Sequence, residues 1–361
     1  MVAIEGTLDQ CCNRAIEIKP DYVDALYNLG NTLKDAGDLT QAIDSYQRAI
    51  GIKPGNTKAH YNLGNTLLET GELAGAIESY NRAIKIKPDF TEAHYNLGNA
   101  LKETGDLTRA IESYKRTIEV KPGHAKAFFN LGNTLLITDE LTGAIESYNR
   151  AIQINPSYAE AHSNLGVALK KGGNLKRAIE SYQRAIEIKP DYAEAHNNLG
   201  SALQEKGDLR AAIESYNQAL GINPDHAATH SNLGSLLEMD GDLAEAIESF
   251  KQALKIMPDY TIARSHKLHQ QAFICDWGAI ETDRHLIPGL GVSTDFVDPF
   301  FLLALEDRPA RHRQRSELFA QSKCKGRDTA LPALAPPSKQ PERLRIGYFS
   351  GDFHVHPVMQ L

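Results

Sequence analysis

Tryptophan occurs once in the 361 residues, and methionine and cysteine four times each. The cysteines, Cys11, Cys12, Cys275 and Cys324, lack metal-ligand spacing and are too few for a disulfide framework, so no metal site is expected and a reducing, cytoplasmic location is read. No apolar run approaches the roughly 20 residues of a membrane span, which removes the membrane from the expected partners. The first residues hold neither a basic segment nor an apolar core of about 7–15 residues, so no secretory signal is read. Basic residues are not in excess: 39 Lys and Arg stand against 46 Asp and Glu, a net charge of −7. Residues 1–258 alone carry 26 against 34, and the remainder 13 against 12. That acidic balance excludes general nucleic-acid binding, which needs a basic footprint. No glycine-rich phosphate loop is found, and no cofactor is expected in this chain.

What the sequence does have is a period. Proline recurs at 20, 54, 88, 122, 156, 190, 224 and 258, a spacing of 34 residues. Asn-Leu-Gly recurs in step, at 28–30, 62–64, 96–98, 130–132, 164–166, 198–200 and 232–234. A fixed period of this size marks a stacked solenoid whose units bury their cores only against neighbours. Within the first unit, Pro20 ends one helix and Asp21 can cap the next. Leu26, Leu29, Gly30 and Leu33 share one helical face. Gly37 stops that helix, Asp38 can cap a second, and Ala42, Tyr46 and Ala49 mark its packed face. Tyr46 is expected to fill the gap between units. The pattern resembles the tetratricopeptide repeat over residues 21–258, seven units, with Asp139 replacing one mid-unit glycine, Thr117 one alanine and Phe250 one tyrosine. The resemblance implies an all-α, right-handed superhelical solenoid.

Residues 1–20 align with the second half of a unit, leaving either a fragment or an edge that meets a partner, including self-association through uncapped repeat ends. Residues 259–327 read as a helical cap and connecting segment. Its first helix runs to about Ile274, with Ile262, Leu268, Ala272 and Phe273 inward, and Trp277 anchors the cap core. A helix over Phe300–Ala320 breaks near Pro309. Seven basic residues in 308–327 read as a solvated face, or as a phosphate or nucleic-acid site. Four prolines in 328–342 mark a linker.

Off the core face, Asn28, Asn62, Asn96, Asn130, Asn164, Asn198 and Asn232 form a ladder, one per unit. Helical interiors disfavour asparagine mildly. Two reasons for it stay open: a hydrogen bond tying adjacent first helices, or a row of amides that brackets a bound peptide backbone. One residue earlier stand Tyr27, Tyr61, Tyr95 and Phe129, then Ser163, Asn197 and Ser231; three residues after the ladder stand Asn31, Asn65, Asn99 and Asn133, then Val167, Ser201 and Ser235. Recent duplication or a groove with two zones would both give this block pattern.

Residues 343–361 begin as a strand, with Leu344, Ile346 and Tyr348 alternating against Arg343, Arg345 and Gly347, and continue as a loop through Pro357. The repeats, Cys275-Asp276-Trp277, Asp298-Pro299-Phe300 and this Ser-x-Asp-Phe-x-x-His-Pro motif together resemble the protein O-linked N-acetylglucosamine transferases of SPINDLY type. That resemblance implies a truncated first strand of an α/β glycosyltransferase domain. It also implies His356 near the active site as a candidate base, a UDP-sugar donor (UDP-N-acetylglucosamine) in the full-length protein, and a ladder that grips extended protein substrates. The chain by itself is expected to be inactive. The alternative is a non-enzymatic scaffold for protein–protein interaction.

Overall fold

The computed structural model describes residues 2–292, 297–303, 305–306 and 308–323. Each unit must stop one helix and start another, and its middle carries both signals. Gly37, Gly71, Gly105, Gly173, Gly207 and Gly241 take φ between +76° and +91°, the left-handed region open to glycine. The next residue then caps the second helix: Asp38, Asp106, Asn174 and Asp208 each accept a backbone N–H three residues on. Asp139 holds the glycine place at φ +62°, where an L-residue is strained by about 1 kcal/mol. Asp139→Gly should therefore raise stability by roughly 0.5–1 kcal/mol, the glycine's own chain entropy offsetting part of the relief. A higher urea midpoint would show this. No rise would mean that the 3.6 Å ion pair between Lys171 and Asp139 outweighs the strain.

Helix α1 (Val2–Ile18) is the second helix of a leading half-unit. Seven pairs follow: α2 (Val23–Asp35) with α3 (Leu39–Ile52), α4 (Thr57–Glu69) with α5 (Leu73–Ile86), α6 (Thr91–Glu103) with α7 (Leu107–Val120), α8 (Ala125–Ile137) with α9 (Leu141–Ile154), α10 (Ala159–Lys171) with α11 (Leu175–Ile188), α12 (Ala193–Lys206) with α13 (Leu209–Ile222), and α14 (Ala227–Asp240) with α15 (Leu243–Ile256). After them come α16 (Thr261–Phe273), α17 (Trp277–Asp283) and α18 (Pro309–Lys323), with short 3-10 turns at Ile287–Gly289 and Pro299–Leu302. The described residues are all-helical and stack as a repeat solenoid. Each first helix also touches the first helix of the next unit, from α2 with α4 to α14 with α16, and no second helices come as close. The first helices therefore line the inner, concave side.

The core of a unit rests on one complementary pair. Tyr114 is fully buried, and a Cβ built on Gly98 would lie 2.6 Å from its ring. Only glycine leaves room for that ring, which packs against the first helix of its own unit while its hydroxyl bonds Asn99 at the junction. Expecting these tyrosines between units was therefore half right. First helices are not capped by Asp21 or its equivalents. The cap residues are Tyr22, Asn56, Phe90, His124, Tyr158, Tyr192, His226 and Tyr260, and of these only Asn56, His124 and His226 accept a capping bond. The aromatic ones pack instead: Phe90 lies 4.9 Å from Tyr61 and Tyr158 4.9 Å from Phe129, centroid to centroid. A further tie was unforeseen. His60, His94, His162, His196 and His230 each donate Nε2–H to the carbonyl of the proline six residues before.

The array ends in a decayed eighth unit. Leu268, fully buried, stands at the glycine place, and the tyrosine place is the exposed Arg284. A second core forms from Leu268, Ile280, Ile287, Leu290, Val297 and Leu302. Trp277 does not anchor it: it is 54% exposed at the first position of α17. Ile262 and Phe273 also point outward, and Ala263 takes the inward place. Pro309 starts α18 rather than breaking a helix, as suits a residue with no N–H to donate. Within the basic run Arg315 is fully buried, donating to the carbonyls of Leu290 and Ile287 and pairing with Glu306 at 2.9 Å. The strand expected over 343–350, the linker 328–342 and His356 lie outside the described residues.

Glu238 ties this end to α14. It accepts from His266 Nδ1 at 2.8 Å and from Gln270, with His269 Nδ1 at 3.7 Å. Burial alone would raise its carboxyl, but bonds and charge from the two histidines outweigh that and bring it down to about 2 from 4.5. A carboxyl depressed in the folded state stabilises above its unfolded value and loses that contribution as pH falls from 4.5 towards 2. Unfolding free energy should thus drop on the order of 3 kcal/mol more steeply over that range than in Glu238→Gln. Trp277, the one tryptophan, reports it by fluorescence. Equal acid limbs in the two proteins would refute the assignment.

Candidate functional site

The concave wall is a row of rungs, each built by three residues of one unit and one of the next. In the first rung Tyr46 Oη donates to Asn31 Oδ1 at 2.8 Å. Asn62, from the following unit, donates one amide hydrogen to the same oxygen at 2.8 Å and the other to Tyr27 Oη at 3.1 Å. The second and third rungs repeat this with Tyr80, Asn65, Asn96 and Tyr61, then with Tyr114, Asn99, Asn130 and Tyr95. In the fourth, Phe129 has no hydroxyl, so Asn164 keeps one bond, to Asn133 Oδ1, which also accepts from Tyr148.

Burial first, and then a neighbouring tyrosine, pushes the Tyr46, Tyr80 and Tyr114 phenols well above their ordinary value, with Asn62, Asn96 and Asn130 opposing. They stay neutral donors at any working pH. Tyr27, Tyr61 and Tyr95 accept from the ladder and lie 6.1 Å from the buried ring of their own unit.

The ladder residues are therefore not alike. Asn62, Asn96 and Asn130 spend both amide hydrogens on the preceding unit, and Asn232 spends one on Asn197 Oδ1 at 3.1 Å. Asn28, on α2, is exposed, and among the described residues neither its side-chain carboxamide nor that of Asn198 has a hydrogen-bond partner. The inter-helix tie left open by the sequence is present at five junctions. Each full rung leaves uncommitted the phenol hydrogen of Tyr27, Tyr61 or Tyr95 and two groups more: the carbonyl oxygen of the ladder asparagine, and the amide nitrogen of Asn31, Asn65 or Asn99. Solvent reaches both, since neither is a sealed, unpaired atom. A free acceptor with free donors beside it thus recurs at each step along the wall.

The other face carries grooves as well. One, about 800 Å³, lies between α3 and α5 over His60, Leu63 and Leu67 of α4. No described helix is long and apolar enough to cross a membrane. Among the described residues no group of three or more histidine, cysteine or acidic side chains could hold a metal ion.

Family profiles described as TPR repeat match residues 30–71, 64–105, 132–173 and 168–207. Profiles described as tetratricopeptide repeat match 191–259, 91–124 and 11–44. Among solved structures, MamA protein is 31% identical with a TM-score of 0.45, over 48% of this chain and 94% of its own. YrrB, described as a TPR protein with an unusual peptide-binding site, is 25% identical with a TM-score of 0.44, over 53% and 99%. A chain of the APC/C hetero-tetramer Cut9–Hcn1 is 17% identical with a TM-score of 0.52, over 73% of this chain and 52% of its own, and shares the fold. No curated protein sequence matches.

Proposed function

Because residues 11–259 are tetratricopeptide repeats and the chain belongs to that family, we propose that its concave wall docks an extended protein segment. The observation that carries this reading is the free acceptor and free donor on each rung, repeated at one-unit intervals. A peptide backbone offers the complementary pair at every residue whatever its side chains. Tyr27, Tyr61, Tyr95 and Phe129 flank the rungs and supply flat apolar area, with Asn28, Asn62, Asn96, Asn130, Asn164, Asn198 and Asn232 as the polar contacts.

The test must spare the rungs themselves. Asn65, Asn99 and Asn133 changed together to aspartate keep the oxygen that accepts from tyrosine and asparagine but lose the free amide. Affinity for the tightest binder from a library of short unstructured peptides should fall more than about tenfold, with melting nearly unchanged. Unchanged affinity in the folded variant would refute the groove.

The finer reading is the substrate-recruiting region of a protein O-linked N-acetylglucosamine transferase, with His356 as its base. It rests on the sequence motif Ser350 to Pro357. No glycine-rich phosphate loop is read in the sequence, and a base without a held donor does no chemistry. Given UDP-N-acetylglucosamine and an acceptor protein, this chain should transfer no sugar. Transfer abolished by His356→Ala would overturn that, and absence of a sugar-transfer role even in a longer form of the protein would leave the non-enzymatic scaffold.

A further inference from the structure

At the four junctions from the first unit to the fifth, one oxygen serves two donors: Asn31, Asn65, Asn99 or Asn133 Oδ1 accepts from a buried tyrosine and from the ladder asparagine of the next unit. At the sixth-to-seventh junction both donors are satisfied differently, Tyr216 by Gln204 at 3.0 Å and Asn232 by Asn197 at 3.1 Å. The fifth-to-sixth junction stands apart. Val167 occupies the oxygen's place and Ser163 the place of the accepting tyrosine.

The donors there have not moved. A Cβ on Gly166 would lie 2.6 Å from the Tyr182 ring, as one on Gly30 would from Tyr46. Tyr182 is 1% exposed, and among the described residues neither its hydroxyl nor the Asn198 carboxamide has a partner. Solvent still reaches both groups. Lys170 holds the helices together instead, with Nζ 2.6 Å from Ser201 Oγ and 3.6 Å from Glu205.

We infer that this junction is the anchoring subsite of the groove, where Tyr182 Oη and Asn198 Nδ2 together bind one backbone carbonyl oxygen of the docked segment. The subsite supplies, from the ligand, the acceptor that the other junctions carry in themselves. A neutral carbonyl fits better than a carboxylate, because Lys170 is already paired with Glu205 and that acid's negative charge acts on the phenol. The inference rests on the groove reading above.

Tyr182→Phe and Asn198→Ala should leave the melting temperature of the whole chain unchanged, because neither group has a partner to lose. Together they should weaken binding of the tightest library peptide about tenfold. Val167→Asn with Ser163→Tyr supplies the missing partners from within. It should raise melting by roughly 2–4 °C and weaken the same peptide to a similar degree. If Tyr182→Phe or Asn198→Ala melts lower, both groups are structural and the subsite falls. If peptides bind and all these variants bind like the parent, the groove stands and the subsite falls. If no library peptide binds the parent, both readings fall together.

Discussion

Tyr114→Ala should cost about 3–5 kcal/mol, the loss typical of emptying a fully buried aromatic site that cannot collapse. Three things go at once. The ring leaves a void against Gly98, whose missing Cβ would lie 2.6 Å from it. Tyr95, at 6.1 Å, loses its neighbour. Asn99 Oδ1 loses one of its two donors. Tyr114→Phe removes only the last of these and should cost about 1 kcal/mol. The decayed eighth unit shows how the loss is made good. With an arginine at the tyrosine place, leucine stands at the glycine place and is fully buried. Gly98→Leu alone should be destabilising by overpacking, yet in the Tyr114→Ala background it should restore part of the loss. A double-mutant cycle by urea unfolding measures this coupling. Additive losses would mean that ring and glycine do not share one volume.

Much of this architecture was legible. The period fixed both helices of each unit, and the second-helix caps at Asp38, Asp106 and Asp208 follow from residue chemistry alone. Asp21 failed as a cap because the helix starts one residue later, with the 43%-exposed Tyr22 in the cap position and Lys19 Nζ 5.8 Å from its ring. Trp277 failed as an anchor too. Its place corresponds to Leu243, and what the decayed unit buries comes from Leu268 and Ile280 instead. The ladder was the harder case. Position on the helix puts Asn62 on the concave wall but does not say how near the neighbouring helix lies. That distance depends on how tightly the first helices of neighbouring units pack. A signal was nevertheless present. Asn31, Asn65, Asn99 and Asn133, with the aromatic residues before the ladder, fill the same four units. The block pattern is what a shared rung favours, and in the fourth rung Asn133, Tyr148 and Asn164 keep their bonds with Phe129 in the accepting tyrosine's place.

Changing Asn62, Asn96, Asn130 and Asn164 together to alanine should therefore damage stability more than binding, the reverse of what a ladder facing only a ligand would give. Seven inter-unit hydrogen bonds go with these four side chains. At about 0.5–1.5 kcal/mol net each, with the lower end apt for half-buried groups, the loss is roughly 4 kcal/mol or more. That is a large part of the roughly 5–15 kcal/mol that separates a folded protein from its unfolded chain. The deficit falls on the contacts between units rather than inside them. In a solenoid those nearest-neighbour terms are what make the units melt as one. The transition should thus broaden as well as move down, with the first four units unfolding ahead of the rest. Hydrogen exchange resolves this, as early loss of protection in α2 to α9 while α12 to α15 stay protected. Asn198→Ala, which breaks no such bond, is the matched control and should melt like the parent. If the quadruple variant also melts like the parent, the rungs contribute nothing to coupling, and the ladder's recurrence once per unit must be explained by its ligand alone.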